Sequence, residues 1–266
     1  LRHAVFSSLT VAAYAGSLAV VCACGGAGQA VEPASSATTG GEQVAGPAED
    51  PAAAAPMPVA VVAEPVMIDP LVASPDVFKV ILEGPRARVL EATWKPGQQD
   101  NMHGHPTLVA YAVTPIFGLS YEADDSSYSV RITQGRVLLQ QAVMGHAFKN
   151  SAKEVAKMII VELKPGQKHA KMPSDAAPDA QTASPEIFEL LGVDSQVRVL
   201  LATWKPGQKD TLHGHPALTV YAITDVTGKL HEADGTTTDI DLKAGAAMFH
   251  EPTKGHYFEN TGKAPA

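Results

Sequence analysis

The chain has 266 residues, 45% of them hydrophobic and 18% charged, with a formal net charge of −8 from 20 basic and 28 acidic side chains. That length holds one large domain or two of ordinary size, with enough apolar residues for a core. The acidic balance, without any basic stripe, excludes nucleic acid as a partner, because phosphate binding needs clustered Lys and Arg.

Residues 1–24, LRHAVFSSLTVAAYAGSLAVVCAC, carry Arg2 and His3 near the start and then no charged side chain. The segment resembles a secretory signal peptide. Its last residues resemble the lipobox of bacterial lipoproteins, with Val21, the small Ala23 and then Cys24 as the residue that would be lipidated. Three outcomes stay open: a lipoprotein, plain secretion, and an uncleaved anchor, since the apolar run approaches the ~20 residues that span a bilayer. Each predicts export to the bacterial cell envelope, and two attach the chain to the membrane. Both cysteines, Cys22 and Cys24, lie here, so the rest of the chain has neither thiol chemistry nor disulfides.

Residues 25–72 are rich in Ala, Gly and Pro, and over most of their length they hold too few large apolar groups to offset the entropy of ordering a backbone. They are read as a disordered tether. A second Pro- and Ala-rich stretch, 165–182, separates an internal repeat. Trp94 and Trp204, His103 and His213, Asn150 and Asn260 all stand at a constant offset of 110 residues. About two positions in five are identical, with no gap between ASPDVF at 73–78 and HAFKN at 146–150 and their counterparts. The unit is too long for a solenoid repeat and suits a duplicated domain, 73–164 and 183–266.

Within each copy, short runs such as RVLEATW, TLVAYAV and ALTVYAI alternate with turn signals such as KPGQ and ADGTT. This pattern predicts an all-β sandwich or barrel. A single helical turn is expected after Ser74 and Ser184, each followed by Pro. After Asn150 the first copy continues into the apolar run KMIIVEL, whereas only TGKAPA follows Asn260. The second barrel is therefore expected to lack its last strand and expose an edge, unless a segment such as 58–68 fills the gap.

His103 and His105 point to the same side of a strand, as do His213 and His215. A pair of imidazoles at that spacing can close on one metal ion, and His146 and His256 are the third-ligand candidates at matching offsets. His231 and His250 occur only in the second copy, where the first has Tyr121 and Gln140. They are read as surface histidines. Glu122 and Glu232 are read as opening hairpin turns.

At this point the chain resembles the cupin superfamily and, with two copies, a bicupin. The first cupin motif runs from Gly97 to His103 and His105, and from Gly207 to His213 and His215; the second runs from Gly135 through His146 to Asn150, and from Gly245 through His256 to Asn260. The resemblance implies two tandem double-stranded β-helix (jelly-roll) barrels. Two departures stand out. The Pro and Gly of the second motif are replaced by Gln141 and Val143, and by Glu251 and Thr253. The Glu of the first motif is missing, its expected positions holding Val109 or Ala110 and Thr219 or Val220.

What the resemblance leaves is a three-imidazole site, as in the thiol dioxygenase branch of the family, for one or two divalent transition metal ions: Fe, Zn, Mn, Ni or Cu. Neutral ligands leave the metal charge uncompensated, which favours a small anionic molecule. Oxalate-type decarboxylation is disfavoured, because those sites use the missing Glu. Strand parity places Tyr111 and Tyr221 on the histidine side, as candidate substrate contacts. The sequence leaves open metal-dependent chemistry on a small molecule and, alternatively, a non-catalytic ligand- or metal-binding sensor module at the membrane. It also leaves open whether the protein forms a homodimer or the duplication supplies that pairing within one chain.

Overall fold

The structure is a computed structural model that describes residues 19–23, 67–166 and 171–266. The lipidation candidate Cys24, the rest of the leader and most of the tether lie outside these residues.

Strand β1 (Ala19–Ala23) comes first. The first repeat then gives α1 (Pro70–Ala73), β2 (Phe78–Glu83), β3 (Ala87–Trp94), β4 (His103–His105), β5 (Leu108–Ala112), β6 (Ile116–Glu122), β7 (Ser127–Ile132), β8 (Val137–Gln140), β9 (Val143–Asn150) and β10 (Ala156–Leu163). The second repeat gives α2 (Ala180–Ala183), β11 (Phe188–Val193), β12 (Arg198–Ala202), β13 (His213–His215), β14 (Leu218–Ala222), β15 (Val226–Glu232), β16 (Thr237–Leu242), β17 (Ala247–His250) and β18 (Thr253–Asn260).

Each repeat closes two antiparallel sheets into a jelly-roll barrel. In the first, β2-β3-β10-β5-β8 faces β4-β9-β6-β7; in the second, β11-β12-β1-β14-β17 faces β13-β18-β15-β16. The turns follow the residues. In Lys95-Pro96-Gly97-Gln98, Gly97 takes φ 75° and Gln98 N donates to Lys95 O at 3.0 Å, a conformation that only glycine adopts without strain. The expected turn after Ser74 forms, Val77 N and Phe78 N both donating to Ser74 O. The short helix, however, lies one step earlier: Asp69 is its N-cap and Ser74 its C-cap.

The larger sheet of the first barrel is buried on both faces. Inward, Leu90, Ala92, Leu108, Ala110, Met158 and Ile160 pack with Phe78, Trp94 and Phe148. Outward, Val89, Val109, Tyr111, Ile159 and Val161 pack against Val197, Val199 and Tyr221 of the second barrel. Burial on both faces explains why KMIIVEL reads as a continuous apolar run rather than an alternating one. The second barrel has its own interior around Phe188, Leu200, Trp204 and Phe258.

Tyr111 and Tyr221 are thereby corrected. They lie in the core between the barrels, 5% and 4% exposed, and face away from the histidines. The parity argument failed because His105 and Leu108 belong to different sheets, and the chain turns at Pro106 and Thr107 between them.

The second repeat supplies no counterpart of β10 among the described residues. The slot between β12 and β14 is taken by β1, whose Val21 is paired with Leu200 on one side and Val220 on the other. The segment expected to fill it, 58–68, is outside the described residues except at 67–68, which form no strand. No helix among the described residues is long and apolar enough to cross a membrane.

Candidate metal centre

Strand β4 is three residues long and holds both histidines of its pair, each 1% exposed. It is paired with β9 through a register shift, His103 opposite His146 and His105 opposite Val143. That irregularity delivers the third imidazole to the first two. Gly104 is required by close approach: a Cβ there would meet Val143 O and Met144 O at 2.7 Å each. The second barrel repeats the arrangement, with His213 opposite His256 and His215 opposite Thr253.

Hydrogen bonds on the far side of two of the rings orient the cluster. His103 Nδ1 donates to Asn101 O at 2.8 Å, and His105 Nδ1 to Glu162 Oε1 at 2.6 Å. Carbonyl and carboxylate oxygens only accept, so these Nδ1 atoms carry the protons and both Nε2 atoms present lone pairs. Those two Nε2 atoms are 3.0 Å apart, and the buried His146 Nε2 has no hydrogen-bond partner. Two lone pairs held at this separation repel one another unless a cation lies among them. Ligand atoms of all three residues fall within 4.8 Å of one another.

In the second barrel His213 Nδ1 donates to Thr211 O at 3.0 Å and His215 Nδ1 to Pro216 O at 2.6 Å. His256 Nε2 lies 3.2 Å from His213 Nε2 and 3.1 Å from His215 Nε2. A single proton on His256 could serve only one of these contacts. The first predicted triad is thus brought together; in the second barrel His213 and His215 each approach His256, but the group whose ligand atoms fall within 4.8 Å of one another is His215, His250 and His256. His250, read from sequence as a surface residue, also enters: its ring centroid lies 4.9 Å from that of His215 and 5.0 Å from that of His256. His231 stays out of the cluster, stacked on Tyr257 at 4.5 Å.

Burial keeps His103, His146, His213, His215 and His256 neutral and able to coordinate. It pushes His103 and His215 down to about 4 and His146 to about 3, neighbouring imidazoles adding to the effect. His213 is also lowered by burial. Glu122 and Glu232 end their strands at turns, as expected, and neither joins a candidate ligand group.

Sequence reasoning missed three carboxylates behind the rings. Asp100 is buried, accepts from Trp94 Nε1 at 2.7 Å and Phe148 N at 2.6 Å, and lies 4.0 Å from His103 Nδ1; burial raises it to about 6. Asp210 repeats these contacts with Trp204 and Phe258 and is raised to about 7. Their signal was identity between the copies at a fixed distance from Trp. Glu162 touches His105 and also accepts from Arg88 Nε at 2.6 Å, Arg88 in turn reaching Asp69 at 2.9 Å. Its signal was a lone carboxylate in an apolar strand, a position that is costly unless paired.

The first cluster opens on a cavity of about 300 Å³ lined also by Ser120, Tyr128, Arg131 and Gln140. The second opens on about 120 Å³, walled mostly by apolar side chains such as Leu218, Leu230 and Ile240.

The architecture is a tandem pair of jelly-roll barrels. No protein family and no curated protein matches the chain. Among solved structures, a cupin domain from Bordetella pertussis Tohama I is similar at 20% identity, covering 33% of this chain and 92% of that one, with a TM-score of 0.32. The formate complex of Lactobacillus farciminis oxalate decarboxylase is similar at 14% identity over 73% of this chain and 82% of that one, with a TM-score of 0.48. Bacillus subtilis oxalate decarboxylase at pH 4.6 is similar at 17% identity over 73% of each chain, with a TM-score of 0.49. These likenesses concern the fold alone.

Proposed function

We propose that the chain is a metal-binding bicupin in which His103, His105 and His146, and separately His213, His215 and His256, each hold a divalent transition metal ion. The observation that carries this reading is the set of Nε2 atoms facing one another at 3.0 to 3.2 Å in both barrels, with Nδ1 of His103, His105, His213 and His215 each turned to an oxygen on the far side of its ring. Imidazole donors suit Zn, Fe, Cu and Ni, and a three-imidazole set leaves coordination positions open. A bound ion would polarise a small molecule in the cavity. The residues of the chain would hold the ion, exclude water behind Phe78 and Trp94, and keep the imidazoles neutral. Neutral imidazole ligands would leave the charge of the ion uncompensated, which favours an anionic molecule as the occupant. Metal-dependent chemistry on such a molecule is the proposed activity. The proposed location, the bacterial cell envelope, rests on residues 1–24.

Elemental analysis of the purified protein tests the reading. The intact chain should carry near-stoichiometric transition metal, with His103→Ala and His213→Ala each lowering the content by the share of one site. Metal-free protein whose melting temperature ignores added Zn(II), Fe(II), Mn(II), Ni(II) and Cu(II) would refute it.

A further inference from the structure

Resting on the proposal that these clusters hold metal, we infer that His250 is a metal ligand of the second site, which the sequence of the first site cannot match. His250 closes β17 opposite Leu218, just as Gln140 closes β8 opposite Leu108. The two side chains occupy equivalent places on the walls of their cavities. Gln140 offers an amide there, a weak ligand for a borderline transition metal; His250 offers an imidazole.

The geometry is that of a ligand. His250 Nδ1 is held by Glu251 O at 2.9 Å, so the ring proton sits there and Nε2 presents a lone pair. The carbonyl is itself on a tethered loop, since the side chain of Glu251 pairs with Arg86 of the first barrel at 3.0 Å. Ligand nitrogens of His215, His250 and His256 all lie within 4.8 Å of one another. His215 and His256 therefore converge with His250, while His213 Nε2 reaches the group through His256 Nε2 at 3.2 Å. An ion held by these three would have the His213 imidazole beside it, a fourth nitrogen that the first pocket, with Gln140 in place of His250, does not offer. The second site should bind more tightly, and the small, apolar cavity leaves less room for a molecule beside the ion. His231, which is found only in this copy as well, provides the control, because it points away and lies 3.5 Å from Glu259.

The test uses the full chain with the first site disabled by His103→Ala and His146→Ala. Chelator-treated protein is titrated with Zn(II), and with Co(II) read by its visible absorption. His250→Gln, which copies the first barrel, should weaken Zn(II) binding at least about tenfold and change the Co(II) spectrum, while His231→Gln leaves both as in the parent. The reverse variant, Gln140→His in a chain disabled by His213→Ala and His256→Ala, should strengthen binding at the first site. Zn(II) affinity within twofold of the parent in His250→Gln, with an unchanged Co(II) spectrum, would overturn this assignment and leave the metal sites standing. If the parent with its four second-barrel histidines intact binds no Zn(II), both the assignment and the metal reading fall. Should His250→Gln melt well below the parent, the Gln140→His arm decides.

Discussion

Glu162 sits at the hinge of a short polar chain running from His105 through the carboxylate to Arg88 and Asp69. A carboxylate behind a ligating imidazole fixes its tautomer and raises its basicity. Glu162→Gln should therefore weaken metal binding at the first site by about 10- to 100-fold and leave the second site unchanged. Equal affinity at the first site, measured by competition with a chelator, would reduce Glu162 to a partner of Arg88. The six motif histidines were legible in the sequence because spacing and duplication both pointed to them. Glu162 and His250 were not, for a shared reason: each occurs in only one copy, and each depends on which face of a strand is inward. Tyr111 shows how that fails, since one change of sheet at Pro106 and Thr107 sends its ring to the other side.

Among the elements, the short strands β4 and β13 carry the paired histidines and the longer ones hold them in place. Asn150, fully buried, donates from Nδ2 to Trp94 O and Glu154 O, tying β9 to the end of β3. Asn260 makes the matching bonds to Trp204 O and Ala264 O. Short strands and some of the turns could be read from alternation and from the KPGQ runs, whose Gly97 and Gly207 take positive φ. The partner of β12 and β14 could not, because β-pairing between distant segments leaves no local trace in a sequence. Val21→Pro tests that pairing, since Pro removes a ladder donor in a strand flanked on both sides. The variant should melt several degrees lower; an unchanged melting curve would show that β1 does not support the second barrel.

At the scale of the molecule, the barrels meet through the outer faces of their larger sheets, so the apolar layer containing Tyr111 and Tyr221 belongs to both. Titration acts on this whole body. His103, His146 and His215 are held at about 4, 3 and 4 in the fold, against 6.5 when unfolded. Between pH 6.5 and 4 the unfolded chain binds protons that the folded chain refuses, so stability falls as acid is added. Asp100 and Asp210, raised to about 6 and 7, act in the opposite sense over the same range. The imidazoles outnumber them, His213 and His256 being lowered as well. Metal-free protein should melt roughly 5 °C or more lower at pH 5 than at pH 7 by calorimetry. A higher melting temperature at pH 5 would mean that the carboxylates dominate.

The place of β1 in the second barrel bears on what the cell can make from this polypeptide. Its five residues stand immediately before the cysteine at which a lipoprotein leader would be cut, so one molecule cannot both discard them and use them as a stave. Secretion with cleavage and self-completion of the barrel are rival fates. A trimmed product would carry a vacancy between two strands, open to any extended segment of another chain.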